Sequence, residues 1–107
     1  MQIYEKRTYS IKVGQMPEVL RLYSEQGWPA LEKGGFGDNL VGYFVSDTGA
    51  LHQLMHIWRF ESDAARREFW QRLFSDETFM QFAVQIRPLI NQQDVQLLSS
   101  APWGPRP

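Results

Sequence analysis

The sequence of 107 residues contains no cysteine, which excludes disulfides and thiolate metal sites and suits a reducing compartment. Charge of one sign is also missing: eleven Lys and Arg stand against twelve Asp and Glu, a formal charge of −1. No stretch gathers the basic residues into a stripe, which argues against a nucleic-acid surface. No apolar run approaches the ~20 residues that cross a bilayer. The start, Met1-Gln2-Ile3-Tyr4-Glu5, has neither the basic nor the apolar region of a secretory signal. The expectation is a cytoplasmic protein without a membrane span.

Aromatic rings are what the chain has in quantity, with seven Phe, four Trp and four Tyr. The 43% of apolar residues fills one core. Rings beyond the needs of a small core point to a subunit interface or a ligand pocket. One domain over residues 1–100 is expected, followed by an extended, proline-broken tail over residues 101–107, Ala101-Pro102-Trp103-Gly104-Pro105-Arg106-Pro107.

Periodicity orders the domain. Ile3 to Ile11 alternates as a strand, and Val13-Gly14-Gln15 turns the chain. Pro17 suits a first helical turn, and Met16, Val19, Leu20 and Tyr23 recur at helical spacing. Gly27-Trp28-Pro29 is expected to interrupt that helix, with Pro29 beginning a short second piece through Ala30, Leu31 and Glu32. Leu40 to about Ser46 and Leu51 to Phe60 read as strands joined across Asp47 to Ala50. Ser62 caps a helix containing Ala65, Phe69, Trp70 and Leu73, and Ser75-Asp76-Glu77 restarts it toward Arg87-Pro88. The last strand is expected at Val95 to Ser99. The order βαββαβ is the ferredoxin-like plan, an α+β fold with an antiparallel sheet. Helices cover one face of such a sheet, and a second copy pairing into a dimeric α/β barrel is the economical cover for the other.

The first strand puts charge among grease. Ile3, Glu5, Arg7, Tyr9 and Ile11 share one face. Glu5 and Arg7 stand two residues apart, close enough for a brace. They equally suit a pocket in which Arg7 anchors a carbonyl- or carboxylate-bearing ligand, Glu5 orients it and Tyr9 offers a phenol. In the third strand His52, Leu54, His56, Trp58 and Phe60 alternate with Gln53, Met55, Ile57 and Arg59. His56 is a candidate donor or base, and Trp58 a candidate wall. On a strand, His52 and His56 are roughly 13 Å apart and cannot share an ion, so no metal site is expected. Gly34-Gly35-Phe36-Gly37 lacks the Lys-Ser/Thr ending of a phosphate loop. Arg66, Arg67 and Arg72, mixed with Asp63 and Glu68, read as the solvated face of a helix.

Tyr4-Glu5-Lys6-Arg7-Thr8-Tyr9, Gly14, Leu40-Val41-Gly42-Tyr43-Phe44, Gln53 through His56-Ile57-Trp58, and Arg87-Pro88-Leu89 together resemble the NIPSNAP family. The resemblance implies a homodimeric α+β barrel, with Glu5, Arg7, Thr8, Tyr9, His56 and Trp58 at motif positions. Lys6 stands where an apolar residue is common in the family. Members are associated with vesicular traffic or mitochondrial quality control in animals, and small bacterial members are largely uncharacterised. With no amino-terminal extension in view, mitochondrial targeting is not carried over. Related dimeric barrels include cofactor-independent monooxygenases, cyclases and haem enzymes. An axial histidine alone is too little for haem, and no cofactor is expected.

Two readings stay open. In one, each subunit of a homodimer holds a small organic ligand in a pocket at the open face of the sheet. His56 and Glu5 would then be catalytic, and Arg7, Tyr9 and Trp58 would bind the ligand. Any catalysis there would be cofactor-independent acid/base or oxygenase-like chemistry. In the other, the protein is a non-enzymatic scaffold and its charged residues brace the fold. The residues themselves do not choose between enzyme and binder.

Overall fold

Alternation of side chains makes Ile3–Ile11 the strand β1, central to a four-stranded antiparallel sheet of order β2-β3-β1-β4. The computed structural model describes residues 2–107; Met1, the expected first residue of the domain, lies outside them. The partners of β1 are β2 (Leu40–Val45), β3 (Gln53–Phe60) and β4 (Ile90–Leu98). This is the expected α+β, ferredoxin-like arrangement. His52 lies just outside β3 with φ of 61°, so it belongs to the turn and not to the strand face expected for it.

The helices are α1 (Met16–Leu22), α2 (Trp28–Lys33), α3 (Asp63–Phe74) and α4 (Glu77–Ile86). The expected second piece after the interruption at Gly27-Trp28-Pro29 is α2, but the chain does not leave the helix to reach it. A π-helical turn over Tyr23–Gly27 joins α1 to α2, with the Trp28 amide bonded five residues back to the Tyr23 carbonyl. The wider turn accommodates Pro29, which has no N–H and would crowd the carbonyl four residues earlier in a regular helix. Gly27 is required for a separate reason. A Cβ there would lie 2.6 Å from Cζ of Phe82, a buried core ring.

The helix caps follow the sequence. Ser62 Oγ accepts from the Ala65 amide at 3.1 Å, and Asp76 Oδ1 accepts from the Phe79 amide at 2.8 Å. Each cap satisfies a donor that a helix start leaves unpaired. The last strand begins at Ile90, ahead of the expected Val95. Residues 91–97 are exposed, and the polar run Asn91 to Asp94 has no apolar alternation, so the first half of this edge strand is held by its pairing with β1.

One face of the sheet packs under the helices. Leu22, Leu31, Phe69, Leu73, Phe82 and Ile86 close over Trp58 and Phe60. The other face carries Lys6, Thr8, Ser10, Met55 and Ile57, all partly exposed. Tyr4 is the buried exception, because its hydroxyl donates to the Pro107 carbonyl at 2.8 Å and ties the tail back to β1. Among the described residues no helix is long and apolar enough to cross a membrane.

Candidate functional site

The register between β1 and β3 decides where the charged face goes. Glu5 stands opposite Trp58, Arg7 opposite His56 and Tyr9 opposite Leu54. Residues directly opposite in an antiparallel pair share a face, and Trp58 and Leu54 are buried under the helices. The charged set therefore points into the layer between sheet and helices. The expectation that it lines the open face is corrected by that register.

Glu5 is fully buried and surrounded by donors. Its Oε2 accepts from Arg7 Nε at 2.7 Å, and its Oε1 from Arg66 Nη1 at 2.8 Å and Trp70 Nε1 at 3.1 Å. Arg66 also donates to Asp63 at 2.9 Å, so α3 is clamped to β1. This corrects the reading of Arg66 as a solvated residue; Arg67, 73% exposed, does fit it. With its oxygens committed to charged and indole donors, Glu5 is suited to orienting Arg7.

Arg7 lies flat on Trp70, its guanidinium carbon 4.0 Å from the ring centre. Its Nη1 reaches the Tyr9 hydroxyl at a long 3.4 Å. Burial works against the charge, but Tyr9 and Glu5 outweigh it and hold the Arg7 pKa above its ordinary value. Arg7 and Tyr9 line a cavity of about 70 Å³ together with Tyr23, Arg87 and Gln93. That is room for a head group of a few atoms, since a single water needs only ~10–15 Å³ on such a measure.

His56 is 2% exposed. Trp58 Nε1 donates to its Nδ1 at 2.6 Å. A neutral imidazole carries one N–H, so the proton sits on Nε2, which has no partner among the described residues. Burial, with the nearby Arg7 charge adding, pushes the His56 pKa down to about 3. Tyr43 stacks on the ring at 4.6 Å and 9°, and Tyr9 meets it edge-on at 4.8 Å. Of the two roles considered for His56, this environment favours the neutral donor over the base.

Trp58 is buried and serves as the partner that fixes the His56 tautomer. The structure thus joins Glu5, Arg7, Tyr9, His56 and Trp58 in one connected cluster, though only its Arg7–Tyr9 end meets the small cavity. Sequence reasoning missed Arg66, Trp70, Tyr23 and Tyr43 as members. Trp70 had a signal in the helical period of α3. Tyr43 lies opposite His56 in the β2–β3 register, a position that sequence leaves open.

The NIPSNAP family model matches residues 4–105. Protein NipSnap homolog 3A from Homo sapiens is 28% identical over 102 residues, covering 94% of this chain; the chain spans 40% of that relative's length. A crystal structure of a NIPSNAP family protein from Agrobacterium tumefaciens superposes with a TM-score of 0.89 at 32% identity, covering 96% of this chain and 89% of that one. A second from the same organism, described as having unknown function, gives 0.88 at 35% identity over 97% and 92%. An antibiotic biosynthesis monooxygenase structure matches at 0.63 and 20% identity over 94% and 99%, a likeness of fold alone.

Proposed function

The chain belongs to the NIPSNAP family, and from that premise we propose that it is a homodimer in which each subunit binds a small compound through a carbonyl or carboxylate group at Arg7. The carrying observation is the charge around that side chain. Glu5 is shared between Arg7 and Arg66, Arg66 has Asp63 as a second carboxylate partner, and Arg87 adds a further cation at the cavity. The two cations that line the cavity, Arg7 and Arg87, against the one shared carboxylate favour an anion or a strong acceptor. Glu5 and Trp70 fix the plane of the Arg7 guanidinium in advance, which lowers the ordering cost of binding.

The test is a thermal-shift and calorimetric titration with acetate, pyruvate, benzoate and neutral ketones. One or more of these compounds is expected to raise the melting temperature of the wild-type protein. A charge-assisted hydrogen bond is worth ~1.5–3 kcal/mol, so Arg7→Lys is expected to weaken that binding by about 10-fold or more. A panel in which nothing stabilises the protein, or an Arg7→Lys variant that binds equally well, defeats the reading.

The homodimer rests on the uncovered sheet face, where Phe44 is 52% exposed beside Met55 and Ile57. A second sheet laid against that face would bury them. Sedimentation equilibrium is expected to report a dimer, and Ile57→Glu a monomer that keeps its circular dichroism. A wild-type monomer at micromolar concentration counts against the pairing.

The scaffold reading is supported by the ring of donors around Glu5 and by Trp103, which is 77% exposed in the tail. The two readings meet in Glu5, which braces the fold and in doing so aims Arg7.

A further inference from the structure

A second, larger pocket opens at the sheet edge and shares the Tyr23 side chain with the Arg7 cavity. It has a volume of about 480 Å³ and lies between the helical segment on one side and β2 with β3 on the other. That volume falls in the ~300–1,000 Å³ range of small-molecule sites. Leu20 and Trp28 form the helical wall, and Leu40 and Val45 the wall from the strand edge. Leu20, Trp28 and Val45 are 38%, 39% and 47% exposed, so its mouth is an apolar rim open to solvent.

No lining side chain is charged. The polar groups are hydroxyls, chiefly those of Tyr23 and Tyr43, whose rings lie 5.2 Å apart. Each ring is held from behind. Phe82 packs against Tyr23 at 4.7 Å, and the His56 ring stacks on Tyr43 at 4.6 Å. The π-helical turn of Tyr23–Gly27 contributes Tyr23 and Ser24 to the wall, and such turns recur at functional sites. Burial raises the pKa of both tyrosines, so they stay protonated, and a hydrogen bond between the two phenols leaves one phenol proton free to donate.

We infer that this pocket is a binding site for a neutral, largely apolar ring compound carrying a carbonyl or hydroxyl group, held against the phenols of Tyr23 and Tyr43. The chemistry follows from the walls. A charged ligand would lose its hydration here and find no counter-charge, whereas an apolar ring replaces water against Leu20, Trp28, Leu40 and Val45. A single polar substituent can accept the phenol proton that the Tyr23–Tyr43 hydrogen bond leaves free. Arg7, which prefers an anion or a strong acceptor, does not line this pocket; it lines the smaller cavity on the other side of Tyr23.

The experiment titrates 1-naphthol and its anionic counterpart 1-naphthoate into the full chain. Calorimetry gives the affinities, and amide chemical shifts of ¹⁵N-labelled protein give the location. Saturable 1-naphthol binding is expected, with shifts concentrated at Tyr23, Ser24, Tyr43 and Val45. Leu20→Trp and Val45→Trp fill the pocket from opposite walls at solvent-exposed positions. Each is expected to weaken 1-naphthol binding at least 10-fold, while Val84→Trp, on the exposed face of α4, binds as the wild type does. Absence of saturable binding overturns the inference, as does undiminished binding in both filling variants. So does 1-naphthoate binding equally tightly with the same shift map. Loss of carboxylate binding in Arg7→Lys, or its absence altogether, bears on the other cavity and leaves these outcomes unchanged.

Discussion

Replacing Glu5 with alanine is expected to lower the stability of the protein by ~3–5 kcal/mol, the cost of removing one partner from a buried ion cluster. Domains of this size have only ~5–15 kcal/mol in total, so the variant should be partly or wholly unfolded at moderate urea concentration. The cause is not the loss of attraction alone. Arg7 and Arg66 would face each other across the space that the carboxylate filled, and the Trp70 indole N–H would lose its acceptor. Glu5→Gln keeps a carbonyl oxygen for one donor and should fall between alanine and the wild type. Urea denaturation followed by tryptophan fluorescence measures this directly. A Glu5→Ala midpoint within ~0.5 kcal/mol of the wild type, the range of neutral surface changes, would show that the cluster does not brace the fold.

The second large effect is a loss of stability in acid that originates at His56. In the unfolded chain an imidazole takes its proton near pH ~6.5; in the folded protein burial and Arg7 delay this to about pH 3. Between those values the unfolded state binds the proton that the folded state refuses, so stability falls as pH drops through this window and the loss stops growing below about 3. At 1.36 kcal/mol per pKa unit the full loss is on the order of 4–5 kcal/mol. His56→Gln offers Trp58 Nε1 an amide oxygen and removes the titration. Subtracting its stability-versus-pH curve from that of the wild type cancels the carboxylates common to both. The difference should slope by close to one proton between pH ~6 and ~4. A flat difference curve would mean that His56 is already solvated and protonated in the native state.

These effects were only half legible in the sequence. Alternation in Ile3 to Ile11 put Glu5, Arg7 and Tyr9 on one face, and the same logic put His56 with Trp58. Both pairings hold because the side-chain period of a strand is a local property of the backbone. Ser62 was recognisable as a cap for the same reason, since a short polar side chain meets an amide three residues on, and Ser75-Asp76-Glu77 as a restart in which the structure makes Asp76 the cap. Where local logic was extended it failed in specific ways. Pro29 read as a helix break because the neighbouring helix could not be seen supporting a widened turn. The start of β4 was missed because Ile90 to Asp94 is a polar edge that only β1 makes into a strand. Arg66 read as a surface charge because its partner is sixty-one positions away.

The amino-acid sequence by itself determined the element order, the α+β class, the segregation of side chains within each strand and the family resemblance through Tyr4-Glu5-Lys6-Arg7-Thr8-Tyr9 and His56-Ile57-Trp58. Tertiary structure alone decided which side of the sheet each strand face took. That choice rests on register and on where the helices land, both set by long-range burial of Trp58, Phe60, Phe69 and Phe82. It turned the charged face inward, closed Arg7, Arg66 and Trp70 around Glu5, and left His56 neutral with one N–H unpaired among the described residues. A residue's neighbours along the chain fix its direction on the strand; what lies in that direction is fixed by contacts that the sequence does not order.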